Sequence, residues 1–201
     1  MQDSQLVMHG IAVKKYATVE DICSLTGLES DTVSTLAAEA VAKGRASETN
    51  GKYLLTPIGQ VTLKSAYSKS YGRLRKDDDF VAAYEDFERV NNDLKQAITD
   101  WQTIEIGGQT VSNDHSDKDY DASVIDRIGD IHERVDVILE RLGRKEERLH
   151  RYREKLLSAL EKAEDGDITW VSDATIESYH TVWFELHEDL LRVMGREREE
   201  H

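Results

Sequence analysis

The chain has 201 residues, 39% of them hydrophobic, with 40 Asp/Glu against 26 Lys/Arg and a net charge of −14. No run approaches the roughly 18 consecutive apolar residues of a membrane span, the start Met1-Gln2-Asp3-Ser4 has neither the basic nor the apolar run of a signal peptide, and the lone Cys23 cannot form an internal disulfide. A cytoplasmic, mainly α protein with no membrane partner is expected, because the chain has a single proline and few glycines to interrupt helices. The charge is uneven. Residues 1–75 carry nine Lys/Arg and seven Asp/Glu, whereas residues 76–201 carry 17 and 33. Any surface for a polyanion therefore belongs to the first part.

In chain order, Leu6, Val7, Ile11 and Val13 predict a first helix ending near Tyr16. Thr18-Val19-Glu20-Asp21 is a capping-box opening for a second, with Val19, Ile22, Cys23 and Leu25 on its apolar face and Gly27 as its stop. Ser30-Asp31-Thr32-Val33 opens a third. Val33, Leu36, Ala37, Ala40 and Val41 form its inward stripe. Its outward face carries Asp31, Thr32, Ser34, Thr35, Glu39 and Lys43. Asn50-Gly51, between two short extended runs, predicts a tight hairpin. Thr56-Pro57 starts a fourth helix, with proline at a first position whose N–H has no partner to lose.

The segment from His9 to Gly59 thus reads as three helices and a small hairpin. Through Gly27-Leu28, Val33, Leu36, Gly44 and Tyr53-x-Leu55-Thr56-Pro57-x-Gly59 it resembles the MarR/GntR-type winged-helix regulators. That resemblance implies DNA as a partner, read by the third helix. Thr32, Ser34 and Thr35 are the candidates for contacts to bases or phosphates, and Lys43, Arg45 and Lys52 for phosphate. Asp31 and Glu39 on the same face oppose a phosphate backbone. The helix has no Arg or Asn early, where base reading normally begins.

The remaining residues, 76–201, read as an acidic four-helix bundle that serves sensing, dimerisation or interaction. Phe80, Tyr84, Phe87, Asn91, Leu94, Ile98 and Trp101 alternate in steps of four and three, as along a bundle seam. Asn91 interrupts it, either as a register device or as a hydrogen-bonding partner of a nearby backbone group. Gly107-Gly108 opens a loop that ends in Asn113-Asp114-His115-Ser116-Asp117-Lys118-Asp119-Tyr120-Asp121. Asp117, Asp119 and Asp121 mimic the start of a calcium loop, but Ala122 and Ile128 stand where its glycine and bidentate glutamate belong. Helix capping explains the acids. Val124 to Leu142 and Leu149 to Leu160 line two further helices, and a last helix is expected from Asp173 to about Met194.

In that last helix His180, Trp183 and His187 share a face. His180 and His187 lie about 10 Å apart along the axis, too far to share one metal easily. A ligand pocket is the alternative, built from Asn113, Asp114, His115, Tyr179, His180, Trp183 and His187. No metal, cofactor or catalytic residue is expected, since no nucleophile–base pair or phosphate loop is present. Asp100-Trp101-Gln102, Asn113 to Asp117, Tyr120-Asp121 and Ser178 to Glu188 resemble a helical region of actinobacterial proteins. There it follows a small winged helix and is associated with pyruvate phosphate dikinase-like, phosphoenolpyruvate-utilising enzymes. This second resemblance implies association with such an enzyme rather than its activity. The pattern of metal-containing GntR-type effector domains does not map onto His115, His132, His180 and His187. The leading expectation is a DNA-binding transcriptional regulator, dimeric, and not an enzyme. The alternative is a non-catalytic regulatory module for a phosphoenolpyruvate- or pyruvate-utilising enzyme.

Overall fold

The computed structural model describes residues 1–197. The chain is mainly helical, and no described helix is long and apolar enough to cross a membrane. Contacts divide it into two compact units, Met1–Asp77 with His187–His201, and Asp78–Leu186. The second half of the last helix therefore groups with the first unit, whereas the charge pattern alone divides the chain near residue 76.

In the first unit, α1 (Asp3–Lys14) packs against α2 (Val19–Thr26) and α3 (Ser30–Ala42). The Thr18 hydroxyl accepts from the Asp21 amide at 3.1 Å, and the Asp21 carboxylate accepts from the Thr18 amide at 2.8 Å. This reciprocal box satisfies two donors that a helix start otherwise leaves unpaired. The α2 stop is Gly27 at φ +78, whose amide returns to the Cys23 carbonyl. On α3, Val33, Ala37 and Ala40 are buried.

Strands β1 (Ala46–Thr49) and β2 (Lys52–Leu55) pair antiparallel around Asn50-Gly51, where both φ angles are positive. A single bridge from Ala17 to Tyr53 adds a third extended segment beside β2. Thr56 then caps α4 (Pro57–Ser70) and donates its hydroxyl to the Gly44 carbonyl at 2.7 Å. At Gly59 the close approach admits no side chain, since a Cβ there would lie 1.9 Å from the Arg45 carbonyl oxygen. The helix ends at Ser70, and a 3-10 turn covers Leu74–Lys76.

The second unit contains α5 (Asp78–Gln102), α6 (Lys118–Gly143), α7 (His150–Glu164), the short α8 (Thr169–Ser172) and the start of α9 (Tyr179–Met194). Between α5 and α6 the expected loop is a second hairpin, β3 (Thr103–Ile106) with β4 (Gln109–Ser112). Gly107 and Gly108, both at positive φ, form its turn, as a two-residue hairpin requires. Ion pairs Asp100–Arg127, Asp93–Arg134 and Asp86–Arg141 run in opposite sequence directions and mark α5 and α6 as antiparallel. Such partly exposed pairs contribute little stability each, but they record the register.

The last helix starts six residues later than expected. Asp173 accepts from both the amide and the hydroxyl of Thr175 at 2.7 Å. That local turn competes with helix formation. Asn91, on the buried seam of α5, accepts from the Trp183 indole N–H at 3.0 Å. Its partner is thus another side chain rather than a neighbouring backbone group.

Two substitutions test this packing. Gly59→Ala should lower the stability of the first unit by about 3 kcal/mol, because neither the Arg45 backbone nor the helix start can yield. Asn91→Leu should cost about 1–3 kcal/mol by leaving the buried Trp183 N–H without an acceptor. Urea unfolding midpoints of both variants check these values.

Candidate functional site

The outward face of α3 exposes Asp31, Thr35 and Glu39, with Thr32 and Ser34 half-buried. Its chemistry is partly committed within the chain. The Thr35 hydroxyl donates to the Asp31 carbonyl at 2.8 Å, which leaves its oxygen as an acceptor only. The Lys43 ammonium lies 2.8 Å from Glu39 one turn earlier and holds that carboxyl below its usual range. Arg45 is half-buried at the entry to β1, and Lys52 is exposed with its ammonium 5.2 Å from the centre of the Tyr16 ring. A shallow hollow at the start of α3 is bordered by Asp3, Asp31, Thr32, Thr35 and Leu36. The hydroxyls chosen as nucleic-acid contacts therefore stand beside two carboxylates, and the cations lie toward the helix end and the hairpin.

The loop after β4 is a closed knot of hydrogen bonds. The Asn113 amide group donates to the Trp101 carbonyl at 3.1 Å and to Asp121 Oδ1 at 3.0 Å. His115 Nδ1 lies 3.0 Å from the same Asp121 oxygen, and its ring is tilted over Trp101 with 4.4 Å between centres. Asp121 is 2% exposed. The Ser116 side chain, together with the Ser116 amide that donates to Asp114 at 3.0 Å, holds the Asp114 carboxyl below the usual range. Asp117 caps α6 by accepting from the Tyr120 amide, and the Tyr120 hydroxyl donates to the Asp100 carbonyl at 2.9 Å. These groups tie the start of α6 to the end of α5. Among the described residues, no group of three or more His, Cys, Asp or Glu is arranged to hold a metal ion.

Tyr179 and Trp183 belong to a different cluster. Tyr179 stacks on Trp183 with 5.9 Å between centres, meets His132 edge-on, and places its hydroxyl 3.4 Å from His132 Nδ1. Trp183 stacks in turn on Phe87 at 5.3 Å. Burial pushes the Tyr179 hydroxyl far above the usual tyrosine range. His180 is half-buried, while His187 is buried and falls in the first unit. The residues grouped as one ligand pocket from sequence are thus divided. Asn113 and His115 turn to Asp121 and Trp101, and Tyr179 and Trp183 turn to His132 and Asn91.

The first unit holds a polar cluster that sequence periodicity does not reveal. His9 and Asp189 are both fully buried, with 3.1 Å between His9 Nε2 and Asp189 Oδ1. His9 Nδ1 is 2.8 Å from the Tyr67 hydroxyl. The only local signal is a polar residue inside an apolar run: His9 in Leu6-Val7-Met8-His9-Gly10-Ile11, and Asp189 before Leu190-Leu191.

His132 supplies a pH test of the packing around Tyr179. Desolvation holds its imidazole below the usual histidine range. As pH falls through about 6.5 the unfolded chain takes up a proton that the folded site resists. This contribution to stability is therefore complete above that pH and is lost below it. His132→Gln should give a shallower fall in the unfolding midpoint between about pH 7 and pH 5 than the parent chain shows.

Compared with known protein families, curated proteins and solved structures, the chain matches none.

Proposed function

We propose that the chain is a DNA-binding transcriptional regulator. In this reading residues 1–75 form a winged helix, and the acidic helical body senses a ligand or forms a homodimer. The observation that carries it is the element order of the first unit. A bridging segment at Ala17 lies between α1 and α2, α2 and α3 follow across a three-residue turn, and the β1–β2 hairpin comes next. That order, with one face of α3 exposed, supports the winged-helix assignment. Lys43, Arg45 and Lys52 at the helix end and hairpin supply phosphate contacts, and Thr32, Ser34 and Thr35 lie on the reading helix.

With the chain's own upstream DNA at low salt, a mobility shift at micromolar protein is expected. Replacing Lys43, Arg45 and Lys52 together by Gln should weaken binding and make the salt slope shallower by about 3, one unit per lost phosphate contact. Absence of a shift, or an unchanged slope in the triple variant, refutes the reading.

One observation favours a second reading. The start of α3 borders a hollow with carboxylates Asp3 and Asp31, and Lys43 is paired with Glu39. Such a face suits a basic protein surface better than a phosphate backbone. The partner proposed is a phosphoenolpyruvate- or pyruvate-utilising enzyme. Co-purification of such an enzyme, abolished by Asp31→Lys with Glu39→Lys, is its expected outcome. Recovery of nucleic acid alone counts against it.

A further inference from the structure

The β3–β4 hairpin, within the second unit, holds an apolar face in solvent. Gly107 and Gly108, both at positive φ, fix a two-residue turn and with it the register. That register sets Ile104 opposite Val111 and Ile106 opposite Gln109. Alternation along each strand puts Ile104, Ile106, Val111 and Gln109 on one face, and Thr103, Glu105, Thr110 and Ser112 on the other. Ile106 is 63% exposed, Val111 is 38% exposed, and every residue of β4 is exposed. We propose that this apolar face is the seam of a homodimer, in which the hairpins of two copies stack face to face about a two-fold axis.

Charge selects a second copy as the occupant. Residues 76–201 carry 33 Asp/Glu against 17 Lys/Arg, so two copies repel each other over most of this surface. The run 106–113 contains no Asp, Glu, Lys or Arg and is the longest such run in the second unit. The one charge within the strands, Glu105, lies on the opposite face. A basic partner would be drawn to the acidic helices and would gain nothing from an uncharged apolar ribbon. An equally acidic partner meets least repulsion there. A face placed on its own copy about a two-fold axis is also self-complementary, since each isoleucine and valine meets the same apolar set.

The hairpin is held ready at its base. The Asn113 amide donates to the Gln102 carbonyl at 2.9 Å, and the Tyr120 hydroxyl lies 3.3 Å from the Thr103 carbonyl. Little ordering is left to pay for at the base when a partner arrives. The rest of the ribbon has two strands only among the described residues, and a two-stranded ribbon needs a further layer on its apolar face to be well stabilised in water. A seam of this size is small, so the dimer is a weak and reversible one. Such pairing makes the homodimer arm of the regulator reading specific and rests on that reading.

Sedimentation of the full chain without DNA, from about 1 to about 500 µM, gives the dimer dissociation constant. A missing mobility shift and a missing dimer are thereby separate outcomes. A concentration-dependent dimer is expected, tightened about threefold or more on going from about 0.05 to about 0.5 M NaCl, because salt screens the repulsion between acidic surfaces. Ile106→Lys with Val111→Lys should weaken it about tenfold or more, whereas Glu105→Lys on the other face should leave it within about twofold. Ile106→Thr with Val111→Thr keeps the β-branched shape without the apolar surface, and should weaken the dimer about three- to tenfold. This variant carries the test if the lysine variant unfolds, as circular dichroism would show. A monomer at every concentration, a dimer loosened by salt, full affinity in the threonine variant, or an equal loss in Glu105→Lys overturns the proposal.

Discussion

A carboxylate with no exposure to water governs the first unit. Asp189 is fully buried, and so is the His9 ring 3.1 Å away. Polar groups so deep in a low-dielectric interior are costly to leave unmatched, so this contact constrains how the helices that carry it pack. The N-terminal helix and the last turns of the final helix are therefore held together although they lie at opposite ends of the chain. The remaining polar contacts follow from that closure. His9 also reaches the Tyr67 hydroxyl, and Arg75 satisfies the carbonyls of Arg192 and Val193 at the helix end. The Arg192 carbonyl also accepts from the Gly195 amide at 3.2 Å, and a guanidinium is well suited to a helix C-terminus.

The second unit handles its polarity differently. Two of its buried hydrogen bonds run side chain to side chain between helices, Trp183 to Asn91 and Tyr179 to His132. Much of its charge lies nearer the surface, where Arg153 binds Asp136 in a two-pronged pair at 2.6 and 2.8 Å and also reaches Glu140. That pair holds the Asp136 carboxyl below its usual range. Much of the acidity that sets the chain's net charge is thus spent on helix ends and inter-helix pairs. The loop at residues 113–121 follows the same logic. Its metal-like composition resolves into Asp117 as a helix cap and Asp121 as the acceptor for Asn113 and His115.

The charge distribution also shapes the proposed DNA reading. A helix that reads bases usually leads with Arg, Asn or Gln. Here α3 leads with Glu29, Ser30 and Asp31, and the first cation that follows in sequence, Lys43, is shared with Glu39. Under the regulator reading, specificity would depend on Thr32, Ser34 and Thr35, with affinity supplied from Arg45 and the hairpin. Under the interaction reading the same acids become the contact surface.

Local physics was legible in the sequence. The capping box at Thr18, the Gly27 stop, the Asn50-Gly51 turn, Pro57 at a helix start and the α5 seam all involve residues a few positions apart. Backbone conformation and one hydrogen bond decide each of them. The β3–β4 hairpin was legible in principle, since Gly107-Gly108 separates two runs with β-branched residues, but a neighbouring cluster of acids drew the reading toward a loop. Tertiary structure alone decided the partners of the polar side chains. It sent Asn113 and His115 to Asp121, joined Trp183 to Asn91, buried His9 against Asp189 and assigned His187 to the first unit. In sequence, a histidine within an apolar stripe carries no record of which distant carboxylate it will meet. That choice depends on which helices pack together, and packing is set by shape and burial summed over the whole chain rather than by any local spacing.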